Sequence, residues 1–296
     1  MKKLFYILVF LLTANMPELL AQDKLSNAVY ALQNGELVKA QELIDAAIED
    51  PLFKNDSRTW YYRGNIYKEL YKANESENKQ SPLRNIAVVS FKMSYELDNG
   101  GEVSTSTKKN LKYLASTIFN DAATSFDTEN YLLAIDNYAI YKNIIQYIEP
   151  QTNFTEKDIQ FKLALATTYT QLSLKDSLNK EVYLDNVKKL YEEVLELDEN
   201  NISANYNLGI LYYNKGADIV NNMDYSLDLA ELNRIQEELY IIFKKSLPYM
   251  KRAYDLNPKK EETLIGLQGI YLSMNDKEKS EAYKQELEKL KGKTNK

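Results

Sequence analysis

The chain has no cysteine and no histidine among its 296 residues, and it has only nine glycines and six prolines. Without cysteine it forms no disulfide and offers neither a thiolate nucleophile nor a thiolate metal ligand. Without histidine it lacks the usual general base near neutral pH and the commonest metal ligand. Few glycines and prolines argue against an all-β fold with many tight turns. We therefore expect a helical protein that is not an enzyme, has no catalytic residues and holds neither a cofactor nor a metal.

The charge balance is acidic, with 43 Asp and Glu against 37 Lys and Arg, which is a formal net charge of −6. The basic residues are scattered and form no basic block. Proteins that bind nucleic acids neutralise phosphates with clustered Lys and Arg. We expect neither DNA nor RNA as a partner.

The first residues show the pattern of a secretory signal peptide. Lys2 and Lys3 precede an apolar run at 4–12, and the small residue Ala21 stands before Gln22. This pattern predicts a signal peptide at 1–21 that is cleaved after Ala21, and hence a periplasmic or secreted protein. The apolar run is short for a bilayer span, and an uncleaved membrane anchor is the alternative. We expect no transmembrane segment in the mature chain.

Two segments share one spacing of small and aromatic residues. In NYNLGILYY, residues 205–213, Gly209 is followed three residues later by Tyr212, and in WYYRGNIYK, residues 60–68, Gly64 is followed by Tyr67. Steps of three, four and seven residues lie on one helix face. A small residue on that face lets two helices pack closely, which offsets the roughly 1 kcal/mol that glycine costs a helix. Each segment precedes a second one with small, bulky and small residues at such steps: Ser246, Met250 and Ala253, and Ala87, Phe91 and Ser94.

This arrangement resembles the tetratricopeptide repeat (TPR), whose pattern is W-x2-L-G-x2-Y, then A-x3-F, then P. The resemblance implies an all-α protein in which about six antiparallel helix pairs form a right-handed superhelix, or α-solenoid, over residues 22–296. The predicted repeats span approximately 22–52, 57–100, 104–148, 156–200, 201–258 and 260–292. The small position of the first helices is Ala28, Gly64, Ala122, Ala166 and Gly209, with Gln268 as the exception. The small position of the second helices is Ala40, Ala87, Ala134, Ser246 and Ser280, with the larger Val187 in the fourth.

Insertions lengthen two repeats beyond the 34 residues of the TPR pattern. One lies at 72–82 in the second repeat, and the other lies at 214–245 in the fifth. The second insertion carries Leu232, Ile235, Leu239 and Ile242 at three- and four-residue steps. This period predicts longer helices and no extended loop.

The resemblance also implies a concave surface that the first helices line. The residues expected there are Arg58, Tyr61, Tyr62, Asn65, Phe119, Asn120, Tyr206, Asn207 and Tyr213. The family's clamp for a C-terminal carboxylate uses Lys and Asn at such positions, and Arg58, Asn65 and Lys68 match it in the second repeat alone. Tyrosine supplies rigid contact area and asparagine supplies amide hydrogen bonds, which suit peptides and also sugars. We expect a non-catalytic interaction scaffold of the cell envelope that binds a protein or peptide, with an envelope glycan-binding module as the alternative.

Overall fold

The structure is a computed structural model that describes residues 16–224 and 226–294, with side chains for residues 24–224 and 226–292. Residues 1–15 of the predicted signal peptide lie outside the described residues. The described residues form twelve helices and no strand. The helices are α1 (Met16–Gln33), α2 (Leu37–Ile48), α3 (Ser57–Asn74), α4 (Pro82–Asp98), α5 (Ser104–Ala123), α6 (Tyr131–Ile148), α7 (Thr155–Lys175), α8 (Lys180–Leu197), α9 (Ile202–Asn221), α10 (Leu229–Leu256), α11 (Glu261–Ser273) and α12 (Lys277–Thr294). Helix α1 runs through the predicted cleavage point after Ala21.

Consecutive helices pack on each other as six adjacent pairs, from α1 with α2 to α11 with α12. The prediction of an all-α protein of about six helix pairs is confirmed. The helices group into two compact units. Unit 1 comprises residues up to Ser125 and Leu132–Thr152, and unit 2 comprises Phe126–Tyr131 and the residues from Asn153 onward.

Polar side chains mark where several helices begin. The carboxylate of Asp56 accepts from the backbone N–H of Arg58 at the start of α3, and the Ser81 hydroxyl accepts from that of Arg84 at the start of α4. Asn201 and Asp228 cap α9 and α10 in the same way. Each such cap satisfies a backbone donor that has no partner within the helix. The helix bounds are therefore encoded locally.

The small residues lie at helix crossings, as the sequence predicts. Ala28, Ala122 and Ala166 are at most 1% exposed, and so are Ala40, Ala87, Ala134 and Ser246 of the second helices. A Cβ added at Gly64 would lie 2.7 Å from the ring of Phe91, and one at Gly209 would lie 3.2 Å from the backbone nitrogen of Met250. A side chain at Gly64 would displace the Phe91 ring, and one at Gly209 would require the α10 backbone at Met250 to shift.

The fifth and sixth pairs repeat one set of contacts in detail. The Ser246 hydroxyl donates to the Gly209 carbonyl oxygen at 2.7 Å, and the Ser280 hydroxyl donates to the Gln268 carbonyl oxygen at 3.0 Å. Three residues further along each helix, Tyr212 stacks on Tyr249 and Tyr271 stacks on Tyr283, both with interplanar angles of 9°. Gln268 therefore occupies the position of Gly209 in its own pair, although its side chain is not small.

The second insertion extends α9 to Asn221 and makes α10 the longest helix described, at 28 residues. This result confirms the prediction of longer helices. Near the base of the extension, the ring of Phe243 packs against Gly216, where an added Cβ would lie 2.6 Å away. Residues 229–241 of α10 are largely exposed, with Leu229 at 74% and Ile241 at 53%. The extension is therefore anchored at Phe243 and carries exposed apolar side chains beyond it.

Candidate partner-binding site

The nine residues predicted to bind a partner lie in both units. Arg58, Tyr61, Tyr62 and Asn65 are on α3 and Phe119 and Asn120 are on α5, all in unit 1. Tyr206, Asn207 and Tyr213 are on α9 in unit 2. The two sets therefore belong to different units.

In unit 1, an ammonium group and two amides connect α3 to α5. Lys68 Nζ donates to Asn65 Oδ1 at 3.1 Å and to Asn110 Oδ1 at 2.8 Å. The amide of Asn65 is oriented by a second bond, from its Nδ2 to the Tyr61 carbonyl oxygen at 3.0 Å. We call Asn65, Lys68 and Asn110 the Lys68 cluster. Arg58, Tyr62, Asn65 and Lys68 follow one another at steps of four, three and three residues, which places them along one side of α3.

The charge of Lys68 is only partly balanced. Its side chain is 16% exposed, and burial lowers the pKa of its ammonium group. The nearest carboxylate, Glu69, lies at 3.5 Å and has a shorter contact of 2.7 Å to Lys72. A half-buried cation that shares its nearest carboxylate with another lysine attracts an anionic group of a ligand, because the anion adds negative charge beside it.

Arg58 differs from Lys68 because its charge is already paired. Its Nη2 lies 2.9 Å from Asp56 Oδ2, the carboxylate that also caps α3. The hydrogen bond and charge of Asp56 raise the pKa of the Arg58 guanidinium. Arg58 therefore supplies a weaker attraction for an anion than Lys68 does.

Two of the predicted aromatic residues in unit 1 are used in packing between helices. The ring centroid of Tyr61 lies 6.0 Å from that of Phe91 on α4. The half-buried ring of Phe119 lies 4.9 Å from that of Tyr141 on α6. Asn120 is exposed near the end of α5, and its carbonyl oxygen accepts from the Thr124 hydroxyl at 3.0 Å. Of these three residues, Tyr61 contacts the Lys68 cluster through its backbone carbonyl oxygen, which accepts from Asn65 Nδ2.

In unit 2, the predicted tyrosines contact the helices that follow α9. Lys260 Nζ lies 4.3 Å from the ring centroid of Tyr206, and burial raises the pKa of the Tyr206 hydroxyl. The ring of Tyr213 lies 5.6 Å from that of Phe243, and its hydroxyl would be 2.9 Å from a Cβ added at Gly269. Asn207 lies between them on α9 and is partly exposed. Both tyrosines are therefore partly covered by neighbouring residues.

The sequence named Lys68 as a match to the family's carboxylate clamp, but neither Lys68 nor Asn110 was among the predicted binding residues. Lys68 lies three residues after Asn65 on the same helix face, which is the signal that identifies it. Asn110 could not be identified in this way, because it lies well before Ala122, from which positions in the third repeat were counted. The structure brings it to Lys68 across 42 positions of sequence.

Two further observations concern metal binding and membrane spanning. The described residues include no group of three or more acidic side chains placed to hold a metal ion. Among the helices that the structure describes, none combines the length and the hydropathy needed to cross a membrane.

No protein-family model and no curated protein matches the chain. Solved structures match it at low identity. A crystal structure of YrrB, a TPR protein with an unusual peptide-binding site, is 20% identical with a TM-score of 0.25, and the match covers 82% of this chain and 89% of YrrB. PilW, a type IV pilus biogenesis factor, is 12% identical with a TM-score of 0.27, over 90% and 92% of the two chains. An IFIT1 monomeric mutant with Gppp-AAAA is 13% identical with a TM-score of 0.36, over 88% of this chain and 58% of IFIT1.

These matches are too distant to carry an argument about function. The features of the chain itself are its adjacent helix pairs, its small residues at the helix crossings, and the serine and tyrosine contacts repeated in the last two pairs. In these features the chain resembles the tetratricopeptide repeat superfamily.

Proposed function

We propose that the chain is a non-catalytic scaffold of the cell envelope that binds a protein or peptide through α3 and α5 of unit 1. The observation that carries the proposal is the Lys68 cluster, in which a half-buried ammonium joins two neighbouring first helices and shares its nearest carboxylate, Glu69 at 3.5 Å, with Lys72. An acidic side chain or a C-terminal carboxylate of the partner adds a second negative charge beside Lys68. Tyr62 lies one turn away along α3 and adds contact area.

The envelope location rests on the predicted signal peptide at 1–21. The absence of histidine and cysteine supports a role without catalysis, since the remaining candidates for acid-base work are scattered carboxylates. The glycan-binding alternative uses the tyrosines of α9. The partial coverage of Tyr206 and Tyr213 by neighbouring residues makes that surface the weaker one for stacking a sugar.

The test compares three immobilised proteins in a pull-down from envelope extract: the wild type, Lys68→Met and Lys109→Met. Methionine keeps the length of the lysine side chain and removes its charge. Lys109 is an exposed neighbour of Asn110 on α5, so its replacement is the matched control. We expect one stoichiometric protein with the wild type and the control. Binding of that purified protein to Lys68→Met should be about tenfold weaker, the loss typical of a charge-assisted hydrogen bond.

Equal capture by all three proteins would refute the role of the Lys68 cluster. Saturable binding of purified cell-wall or capsular glycan that is lost on Tyr206→Ala would favour the glycan alternative. Glycan cleavage that a single Glu→Gln substitution abolishes would refute the non-catalytic assignment.

A further inference from the structure

A groove in unit 1 opens between the start of α4 and the side of α6. Its cavity volume is about 380 Å³. The lining residues are Lys79, Gln80, Arg84, Asn85, Ile118, Leu133, Asp136, Asn137, Ala139 and Ile140. We call it the α4–α6 groove. It is formed mainly by second helices of their pairs, whereas the Lys68 cluster lies on the first helices α3 and α5.

The first insertion builds one wall of this groove and is held in place from several sides. The carbonyl oxygen of Lys79 accepts from Arg84 Nη2 at 2.8 Å and from Asn137 Nδ2 at 3.3 Å. Lys79 Nζ donates to the Thr124 carbonyl oxygen at 2.9 Å, just after the end of α5. The wall is therefore preformed, and a ligand would not lose affinity by ordering it.

The charges around the groove leave one carboxylate uncompensated. Arg84 is 2% exposed and pairs with Asp121 at 2.5 Å, so its charge is balanced. The ammonium of Lys79 lies at the negative end of the α5 dipole. Asp136 is exposed at the groove, and within the described part of the chain its carboxylate has no ion-pair partner. A cationic side chain of a ligand would complement it.

The uncharged lining matches a polypeptide better than a sugar. Asn137 is 4% exposed, and its bond to Lys79 uses only Nδ2, which leaves its Oδ1 to accept from a ligand. Gln80 and Asn85 add exposed amides that can both donate and accept, as a peptide backbone does. Leu133 and Ile140 supply apolar surface for side chains, above the buried Ile118. The lining set contains no aromatic ring on which a sugar could stack.

We propose that the α4–α6 groove binds an extended segment of a partner protein and places a lysine or arginine of that segment against Asp136. The aliphatic part of the basic side chain lies along Leu133 and Ile140, and its charged end reaches the carboxylate. The net charge of −6 favours the approach of such a basic segment. This site is separate from the proposed function of the Lys68 cluster, so either can fail without the other.

The test uses two capped heptapeptides as probes, Gly-Ser-Val-Lys-Val-Ser-Gly and its counterpart with Glu in place of Lys. Each is titrated into the full-length 15N-labelled protein, and amide chemical shifts report the site and the affinity. We expect shifts at 79–85 and 133–140, with the Lys probe about two- to fivefold tighter than the Glu probe, the range of an exposed ion pair. The preference should vanish in Asp136→Asn.

Two further variants distinguish binding in the groove from non-specific charge attraction. Glu77→Gln removes an exposed carboxylate from the inserted loop without touching the groove lining, and should keep the preference. Ala139→Phe fills the groove from an exposed position and should abolish the shifts with both probes. The proposal is wrong if the Lys probe causes no shifts at about 10 mM, or if both probes bind equally. It is also wrong if Ala139→Phe has no effect, or if chitotriose saturates the groove more tightly than the Lys probe.

Discussion

Gly209 is the residue at which the approach of α9 and α10 can be tested most directly. A Cβ there would lie 3.2 Å from the backbone nitrogen and 3.3 Å from the Cβ of Met250, and the backbone cannot rotate away as a flexible side chain end can. We expect Gly209→Leu to lower the free energy of unfolding by about 2 kcal/mol or more, because overpacking forces the helices apart. Urea denaturation measures the change. Gly292→Leu is the control, since a Cβ there meets nothing within 4 Å, and an equal loss in both variants would contradict the close crossing.

We expect two tyrosines to make the stability of the fold sensitive to alkaline pH. Burial and a hydrogen bond to Glu96 raise the pKa of Tyr147 to about 12, and burial and a bond to Glu286 do the same for Tyr254. Because the folded-state pKa lies above the ordinary value of 10.0, these hydroxyls ionise more readily in the unfolded chain. Their contribution is complete below pH 10 and is lost as the pH rises toward 12.

We therefore expect the urea midpoint to fall between pH 10 and pH 12, and to fall less steeply in Tyr147→Phe and Tyr254→Phe. Tyr240→Phe is the control, since Tyr240 is 47% exposed and no shift in its pKa is resolved. A pH profile that is the same in all four proteins would refute the role of these two hydrogen-bonded hydroxyls.

At the scale of the element, the pairing of α9 with α10 depends on a hydrogen bond as well as on a small residue. Ser246 is fully buried and donates to the Gly209 carbonyl oxygen at 2.7 Å. We expect Ser246→Ala to cost about 1 kcal/mol, the usual net value of one hydrogen bond, because alanine already fills this position in the first three pairs. Ser203→Ala, an exposed position near the start of α9, should be neutral. A loss of more than about 3 kcal/mol would mean that packing, and not this bond, dominates.

The extended helix α10 should not be uniformly stable along its length. Residues 229–241 include the exposed Leu229, Tyr240 and Ile241, whereas 242–256 include the buried Phe243 and Met250. Segments with few buried contacts open locally more often than well-packed segments. We therefore expect amides of 229–241 to exchange with deuterium at least about tenfold faster than those of 242–256. Peptide-resolved hydrogen exchange measures this, with α4 as an internal reference. Uniform protection would indicate that another surface covers the extension.

The two insertions show which structural features a local sequence pattern can predict. The three- and four-residue steps of the second insertion predicted longer helices, and α9 and α10 have them, because helical period is a property of neighbouring residues. The first insertion has no period, and the sequence assigned it no role. Its contacts with Arg84 and Asn137 join residues up to 58 positions apart, which no local pattern encodes.

At the scale of the whole molecule, the acidic charge predicts poor binding to nucleic acid. Many basic side chains already contact carboxylates, such as Lys162 with Glu193 and Arg63 with Asp45. We expect no saturable binding of a labelled 20-nucleotide RNA at protein concentrations up to about 100 µM in 150 mM salt, the weak end of non-specific binding. Fluorescence anisotropy checks this, with a basic RNA-binding domain as a positive control. Saturable binding that weakens with salt would overturn the expectation.

The sequence by itself determined that the chain is all-α, how its helices pair, and which small residues lie where the pairs cross. It could do so because helical period, capping and side-chain volume are carried by residues close together in the chain. The tertiary structure decided which candidate residues remain available to a partner. It covers Tyr213 and Phe119 with neighbouring rings, joins Lys68 to Asn110, and lines the α4–α6 groove. These outcomes depend on which side chains, distant in sequence, meet when helices of unequal length pack. The pattern of neighbouring residues does not predict such contacts.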